Sequence, residues 1–394
     1  MMWMTGKGIT KMRKPFAAKD ILLYLCRLVF GMRQFFLLFL LVSGFAFAQQ
    51  KDTYGVEFSF LRGNVLAHKE DMYYLIDGHP EGVMADFLVR THGSEEWQKT
   101  YNYPDYGGYF LYQDFKSEPL GECYAAGALY NFYFLKRHLQ LRLSEGIAVA
   151  TNPYNKESNS KNIAFGTRLL DNTNIGLSYD NQRLFGQIGF HAGLLFTHYS
   201  NGRIKTPNSG INTYLLNVGL NYNFGTEKRV VNDTIVRVKK SYKEPIKYNF
   251  VLRTGLNESP IIRSGQRAFY HLGFYIDKRL SRKSGLQVGT ELFLTNSFKD
   301  YIKYYAVAYP ETQVDPNTDY KRVGVFVGHE LFINRISLEA QIGYYVYRPF
   351  KVGESVYDRV GIKYYITNKI FTSFTIKTHL FLAEALEFGV GVRL

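Results

Sequence analysis

Short segments of alternating apolar and polar residues, separated by turns, recur along most of this chain. Beyond residue 50 no apolar run reaches about 18 residues, so a membrane-spanning helix is not predicted. Segments of about ten residues alternate with a period of two, which is typical of β-strands with two different faces. The final segment alternates Leu386, Phe388, Val390 and Val392 with Glu387, Gly389, Gly391 and Arg393. The pattern predicts an all-β protein.

The aromatic content indicates which kind of β-protein this is. The chain has 32 Tyr and 31 Phe but only 2 Trp. A transmembrane antiparallel β-barrel has an apolar outer surface, a polar interior and aromatic residues near the membrane interfaces. A soluble β-sandwich would also alternate and is the alternative fold. Together with the secretion signal described below, these features predict one barrel of about 14 to 16 strands in residues 49–394.

Sixteen strands can be assigned from the alternation, with the two between residues 80 and 115 the least regular. We predict them at 54–66, 80–92, 104–115, 119–134, 138–151, 162–179, 184–200, 211–225, 246–258, 267–280, 283–298, 320–333, 335–348, 357–366, 369–380 and 384–394. Outer-membrane barrels have short periplasmic turns and longer outer loops. This asymmetry predicts that loop 201–210 is extracellular. Residues 226–245, rich in Lys and Arg, are a long periplasmic connection that the pattern does not explain.

The N-terminus has the features of a cleaved signal peptide. An apolar stretch at 35–48 follows Arg33 and ends in Ala-Phe-Ala, which fits a signal-peptidase site before residue 49. We therefore predict that residues 1–48 are a signal peptide, with Met32 as a natural start and the preceding residues an over-extended reading frame. The alternative is a single membrane helix that joins residues 21–25 to the apolar stretch.

Removing residues 1–48 changes both the charge and the cysteine content. The segment holds seven Lys or Arg and one Asp, so the formal net charge falls from +14 to +8. Cys123 then remains alone, which excludes an intramolecular disulfide. An excess of +8 permits contact with anionic surfaces such as phosphorylated lipid. No phosphate-binding glycine loop, paired-cysteine zinc spacing or His-Glu-x-x-His motif occurs, so we predict no cofactor, no metal and no nucleic-acid partner.

One hairpin, residues 186–224, carries polar residues on its apolar face. His198 and Ser200 continue an apolar row on the first arm, and Asn212 begins the apolar row of the second arm. These three residues therefore lie on the same outward face at the loop end of adjacent strands. The row could simply leave the hydrocarbon here and enter the headgroup zone, where such residues are ordinary.

The spacing also suits nucleophilic catalysis at a membrane surface. Residues i and i+2 of a strand are about 6.5 to 7 Å apart, a distance that leaning His and Ser side chains can bridge. His198 would accept the proton of Ser200, and Asn212 on the neighbouring strand would hold the imidazole tautomer.

The hairpin resembles the outer-membrane lipid A 3-O-deacylases, which are grouped with acyloxyacyl-hydrolase-like proteins of Gram-negative bacteria. The resemblance rests on His198-Tyr-Ser-Asn-Gly, followed by Pro207-Asn208-x-Gly210-Ile211 and an alternating strand. It implies an outer-membrane barrel whose His–Ser–Glu triad hydrolyses an ester-linked acyl chain of lipid A, or lipopolysaccharide, in the outer leaflet. By position His198 matches the base and Ser200 the nucleophile, and the loop residues that match the oxyanion site are Asn201, Gly202 and Asn208.

The chain departs from that family at the triad carboxylate, where it has Asn212. An amide can orient an imidazole but cannot neutralise the imidazolium. A slow esterase, an enzyme with a displaced carboxylate and an inactive barrel all remain open, and a non-catalytic pore or structural barrel is the alternative function. Arg203 and Lys205 are candidate contacts for lipid A phosphates. The oligomeric state is not predicted.

Overall fold

The computed structural model describes residues 53–224, 242, 244–380 and 382–394. The predicted signal peptide and most of the basic segment 226–245 lie outside these residues. These described residues contain sixteen strands, as the alternation predicts. They are β1 Thr53–Val65, β2 Glu81–Arg90, β3 Asp105–Asp114, β4 Glu122–Phe134, β5 Leu139–Ala150, β6 Leu169–Phe185, β7 Ile188–Ser200, β8 Ile211–Asn223, β9 Lys247–Asn257, β10 Arg267–Arg279, β11 Ser284–Thr295, β12 Arg322–Phe332, β13 Ile336–Tyr347, β14 Val356–Tyr365, β15 Ile370–His379 and β16 Leu382–Arg393.

The strands close into two antiparallel barrels of eight instead of one of sixteen. In the first barrel β1 pairs with β8, and in the second β9 pairs with β16. The antiparallel β-barrel class is thus confirmed, while the closure differs from the single barrel expected. The sequence of alternating strands specifies hairpin neighbours but not which distant strand closes the circle. In the sequence, residues 226–245 lie between β8 of the first barrel and β9 of the second.

Each barrel carries apolar side chains outside and polar side chains inside. On the first barrel Phe58, Leu194 and Leu216 are more than half exposed, whereas Glu57 and Asp86 are buried in the interior. A soluble protein reverses this arrangement, and a membrane barrel requires it because its outer surface contacts lipid. In the described ranges, every helix is too short or too polar to cross a bilayer.

The interior of the first barrel has two halves. The half near the short turns holds buried ion pairs, including Arg142 with Asp86 at 2.5 Å and Arg90 with Asp105 at 2.5 Å. The half near the long loops is an apolar core, formed chiefly by Leu61, Met84, Leu88, Leu111, Phe115, Leu195, Tyr199, Ile211 and Leu215. An eight-stranded barrel is just wide enough for side chains to fill it.

The interior of the second barrel is dominated by charge. Arg359 pairs with Glu291 at 2.7 Å and with Glu387 at 2.6 Å, and Lys363 pairs with Glu330 and Glu339 at 2.9 Å each. These side chains are all essentially inaccessible to solvent. Buried charges are tolerated only when they are paired, so these residues form one connected network across the lumen.

The two barrels touch at both rims. At the short-turn rim, the connection 91–104 contains helix α1, Glu96–Thr100. Tyr101, the residue that follows this helix, donates a hydrogen bond from its hydroxyl to the carbonyl oxygen of Phe332 at 2.6 Å. Burial raises the pKa of Tyr101 to about 12, so its hydroxyl stays a donor. At the long-loop rim, loop 201–210 contacts the second barrel next to helix α2, Ser297–Ala308.

Candidate active site

The β7–β8 pairing sets the geometry of the candidate site. His198 lies directly opposite Asn212 in the antiparallel register. Even-numbered residues of both strands point outward, and the odd-numbered ones enter the lumen. His198, Ser200 and Asn212 are therefore brought together on the outward face at the long-loop rim.

A chain of hydrogen bonds fixes the His198 imidazole. Its Nδ1–H donates to Oδ1 of Asn212 at 2.6 Å, and Nδ2 of Asn212 donates to Nδ1 of His68 at 3.2 Å. Burial and the neighbouring Lys69 lower the pKa of His68, which favours its neutral, accepting form. Because Nδ1 of His198 carries the proton, its Nε2 is free to accept one, as a general base must.

Ser200 is almost inaccessible, with 3% of its surface exposed. Both Ser200 and His198 approach Gly210 on the loop. A Cβ atom at Gly210 would lie 3.1 Å from Cε1 of His198 and 3.2 Å from Cβ of Ser200, so a side chain there would crowd both residues. Gly210 also has a φ of +70°, which glycine adopts without steric cost. No hydrogen bond between His198 and Ser200 is present in the described part of the chain; such contacts commonly tighten when substrate binds.

Loop 201–210 is held by its own asparagines. The backbone N–H of Asn201 donates to Oδ1 of Asn208 at 2.8 Å, and Nδ2 of Asn201 donates to the carbonyl oxygen of Lys205 at 2.9 Å. The backbone N–H of Gly202 donates to Oγ of Ser200 at 3.4 Å and is therefore next to the candidate nucleophile. Asn201 and Asn208 therefore shape the loop, and Gly202 presents an amide to the site.

The two basic residues of the loop differ in position. Arg203 is largely buried, its carbonyl oxygen accepts from the backbone N–H of Glu258 at 3.1 Å, and its guanidinium reaches the carbonyl oxygen of Ala383 at 3.4 Å. Burial lowers the pKa of Arg203. It lines a cavity of about 570 Å³ between the barrels, which Arg322 and Arg348 of the second barrel also line. The exposed side chain of Lys205 does not line this cavity.

Two carboxylates beside the site were not predicted from the sequence. Asp171 on β6 lies directly opposite Ser200, and Thr173 lies opposite both His198 and, on its other side, Glu145 of β5. All three are on outward rows that are otherwise mainly apolar. An acidic residue on an apolar row was the signal that could have identified them.

A second cavity, of about 310 Å³, begins beside these carboxylates and runs between the barrels. It is lined mainly by apolar side chains from both barrels, including Tyr130, Leu143, Ile175, Ile336, Val360, Phe374, Ile376 and Leu386. Leu386 of β16 links it to the site, because a Cβ atom at Gly202 would lie 2.7 Å from Cβ of Leu386. We call this cavity the interbarrel groove.

Comparison with known families identifies the chain. The profile of the lipid A 3-O-deacylase (PagL) family matches residues 81–221, and that of the acyloxyacyl hydrolase C-terminal domain matches residues 246–394. The chain belongs to the lipid A 3-O-deacylase family. Members are outer-membrane β-barrel hydrolases, and this chain is accordingly an outer-membrane protein. The two matches coincide with the two barrels.

Other comparisons add little. A search of curated proteins finds no match. An engineered mutant of the Rh. blastica porin is 9% identical over 87% of this chain and 98% of the porin, with a TM-score of 0.19. The siderophore receptor PirA from Pseudomonas aeruginosa is 9% identical over 88% of this chain and 81% of the receptor, with a TM-score of 0.22. Scores this low identify no shared fold.

Among the described residues, no group of three or more His, Cys, Asp and Glu side chains is arranged to hold a metal ion.

Proposed function

We propose that the protein hydrolyses an ester-linked acyl chain of lipid A in the outer leaflet, with Ser200 as nucleophile and His198 as base. The 2.6 Å hydrogen bond from Nδ1 of His198 to Asn212 carries this proposal. It selects the imidazole tautomer that accepts a proton at Nε2, on the outward face where a lipid ester has access. Membership in the lipid A 3-O-deacylase family supports the choice of substrate.

In the first half-reaction, Nε2 of His198 takes the proton of Ser200 while Oγ attacks the ester carbonyl carbon. The N–H of Gly202 stabilises the negative charge that develops on the carbonyl oxygen. The ester C–O bond then breaks, and His198 returns the proton to the sugar oxygen, which leaves as a hydroxyl. In the second half-reaction His198 takes a proton from water, whose oxygen attacks the acyl carbonyl carbon. The bond between that carbon and Oγ of Ser200 then breaks, His198 returns the proton to Oγ, and the fatty acid leaves.

The interbarrel groove supports a position for the acyl chain. It starts beside Asp171, the cross-strand neighbour of Ser200, and is mainly apolar. Its volume of about 310 Å³ is at the lower end of the range for small-ligand sites. Arg203 lines the separate cavity at the rim and is placed to meet a phosphate of the same lipid. Lys205 is exposed on the same loop, where an anionic headgroup has access.

The pore alternative gains no support from the interiors. Apolar side chains fill half of the first lumen, and paired charges cross the second. Neither arrangement resembles the water-filled lumen of a large porin.

The test is release of fatty acid from purified lipid A by the full chain in detergent micelles. We expect Ser200→Ala and His198→Ala each to reduce turnover at least about 1,000-fold, because the nucleophile and its base act as a unit. Ser178→Ala, which alters a lumen-facing serine on β6, is the matched control and should retain activity.

Heat-modifiable migration on a denaturing gel will show whether each variant still forms a folded barrel. If folded wild-type protein releases no more fatty acid than Ser200→Ala, the proposed function is wrong.

A further inference from the structure

Asn212 orients the imidazole but supplies no charge, so the catalytic site needs a negative charge from elsewhere. In the reaction proposed above, His198 becomes an imidazolium each time it accepts a proton. In a serine hydrolase with a complete triad, the carboxylate beside the base stabilises that cation. A neutral amide at 2.6 Å cannot do so as strongly.

Two carboxylates stand on the opposite side of the site from Asn212. Asp171 is the cross-strand partner of Ser200, which places their Cβ atoms about 4.5 to 5.5 Å apart. Asp171 is also the diagonal neighbour of His198 on the same outward face, at a spacing that side chains can bridge. Asn212 on β8 and Asp171 on β6 therefore lie on either side of His198 and Ser200.

Thr173 organises the carboxylates. Its hydroxyl is 2.8 Å from Oε2 of Glu145 and 3.3 Å from Oδ2 of Asp171. Two carboxylates this close do not both ionise readily, so the pair carries roughly one negative charge that it shares.

The second barrel strengthens the effect of this charge. Glu145, Asp171 and Thr173 line the interbarrel groove, whose other side is formed by apolar residues of β13–β16, and Leu386 is only 8% exposed. Removing water from one side of a charge lowers the local dielectric and lengthens the range over which it acts. A carboxylate pair facing open lipid headgroups and water would be screened more.

We propose that the Asp171–Glu145 pair supplies the negative charge that stabilises the His198 imidazolium, in place of the carboxylate missing at Asn212. The inference rests on the proposed function. Asp171 is a positioning residue that acts through His198, with Thr173 and Glu145 holding it in place.

A double-mutant cycle between Asp171 and Asn212 tests this division of roles. Asp171→Asn keeps the shape and removes the charge, and we expect lipid A hydrolysis to fall about 10- to 100-fold, because the imidazolium loses its charged neighbour. Asn212→Asp restores a carboxylate at the usual place. In that background, Asp171→Asn should cost less than about 3-fold.

Asp114→Asn is the matched control, because it neutralises a carboxylate at the same rim that pairs with Lys116 and lies away from the site. It should leave turnover unchanged. Equal losses from Asp171→Asn in both backgrounds would overturn the proposal, since they would indicate a direct substrate contact or a structural role. No loss in the wild-type background would overturn it as well.

A second measurement does not depend on turnover. The rate at which a fluorophosphonate labels Ser200, followed by mass spectrometry, should fall about 10-fold in Asp171→Asn and recover when Asn212→Asp is added, because this labelling also requires His198 to accept the serine proton. An unchanged labelling rate in Asp171→Asn would overturn the proposal. If wild-type protein does not hydrolyse lipid A, the proposed function fails, and the labelling rate still decides whether Asp171 assists His198.

Discussion

The two barrels have the same number of strands but differently filled interiors. Behind the hairpin that carries the candidate site, the first barrel is filled by apolar side chains, and Tyr199 and Thr197 of β7 reach into a small hydrogen-bonded cluster with Gln113. The second barrel is crossed by ion pairs and contributes no member of the His–Ser–Asn set. The first barrel thus carries the candidate site on its outer surface, next to a packed apolar core. The second barrel presents the apolar surface that forms the other side of the interbarrel groove.

The largest effect is expected from breaking the charged interior. Arg359→Met leaves Glu291 and Glu387 buried without their shared guanidinium. We expect a loss of about 3–5 kcal/mol in the free energy of unfolding, measured by urea titration in lipid vesicles. Folded protein should still hydrolyse lipid A, because the proposed catalytic residues are in the other barrel. A loss below about 1 kcal/mol would contradict the network's role.

A smaller effect is expected where the barrels meet at the site. Gly202 has a φ of +59°, and an added Cβ would lie 2.7 Å from Cβ of Leu386. Gly202→Ala should lower the rate of lipid A hydrolysis about 10-fold, because the loop must move its amide away from Ser200. Adding Leu386→Gly, which removes that Cβ, should recover part of that loss. If the double variant is no faster than the single one, the second barrel does not constrain the loop.

The first barrel's interior should tolerate the loss of a single hydrogen bond. Tyr199→Phe removes the bond from its hydroxyl to Oε1 of Gln113, which is 2.9 Å long. We expect a cost of about 1 kcal/mol in the free energy of unfolding, well below that of Arg359→Met. The same urea titration measures both variants. If the two variants lost equal free energy of unfolding, the two interiors would not differ in how much a single side chain contributes to stability.

The smallest effect concerns His68, whose pKa is lowered by burial. As the pH falls below about 6.5, the unfolded chain binds this proton before the folded protein does, so folding stability decreases until the lowered pKa is passed. His68→Phe removes this contribution and should flatten the pH dependence of stability between about pH 7 and pH 5. It also removes the acceptor of Asn212, which should slow hydrolysis about 2- to 5-fold. A variant whose stability depends on pH as steeply as that of the wild type would show that His68 does not destabilise the fold in acid.

Much of the fold follows from alternation, and its closure does not. Strand positions are mostly close to prediction, but β6 begins at Leu169 instead of 162. Asn162 belongs to a loop, since its side chain donates to the carbonyl oxygen of Asn152 and accepts from the backbone N–H of Ala164. Closure depends on pairing between strands far apart in sequence, such as β1 with β8, which a period of two cannot specify.

The candidate site divides in the same way. His198, Ser200 and Asn212 lie within one hairpin, so the face of each could be predicted from its parity. Asp171 and Glu145 come from other hairpins, and their proximity to Ser200 depends on the register of β5, β6 and β7. Leu386 reaches the site through contact between the two barrels. The alternation of residues along a strand does not specify that contact.

We propose that the site on the outward face of the first barrel hydrolyses the ester of an acyl chain of lipid A. Mass spectrometry of lipid A from cells with the wild-type protein, with Ser200→Ala, and without the protein tests it most directly. We predict that one ester-linked acyl chain is missing only with the wild-type protein. Identical lipid A in all three, with the barrel present in the outer membrane, would contradict the account.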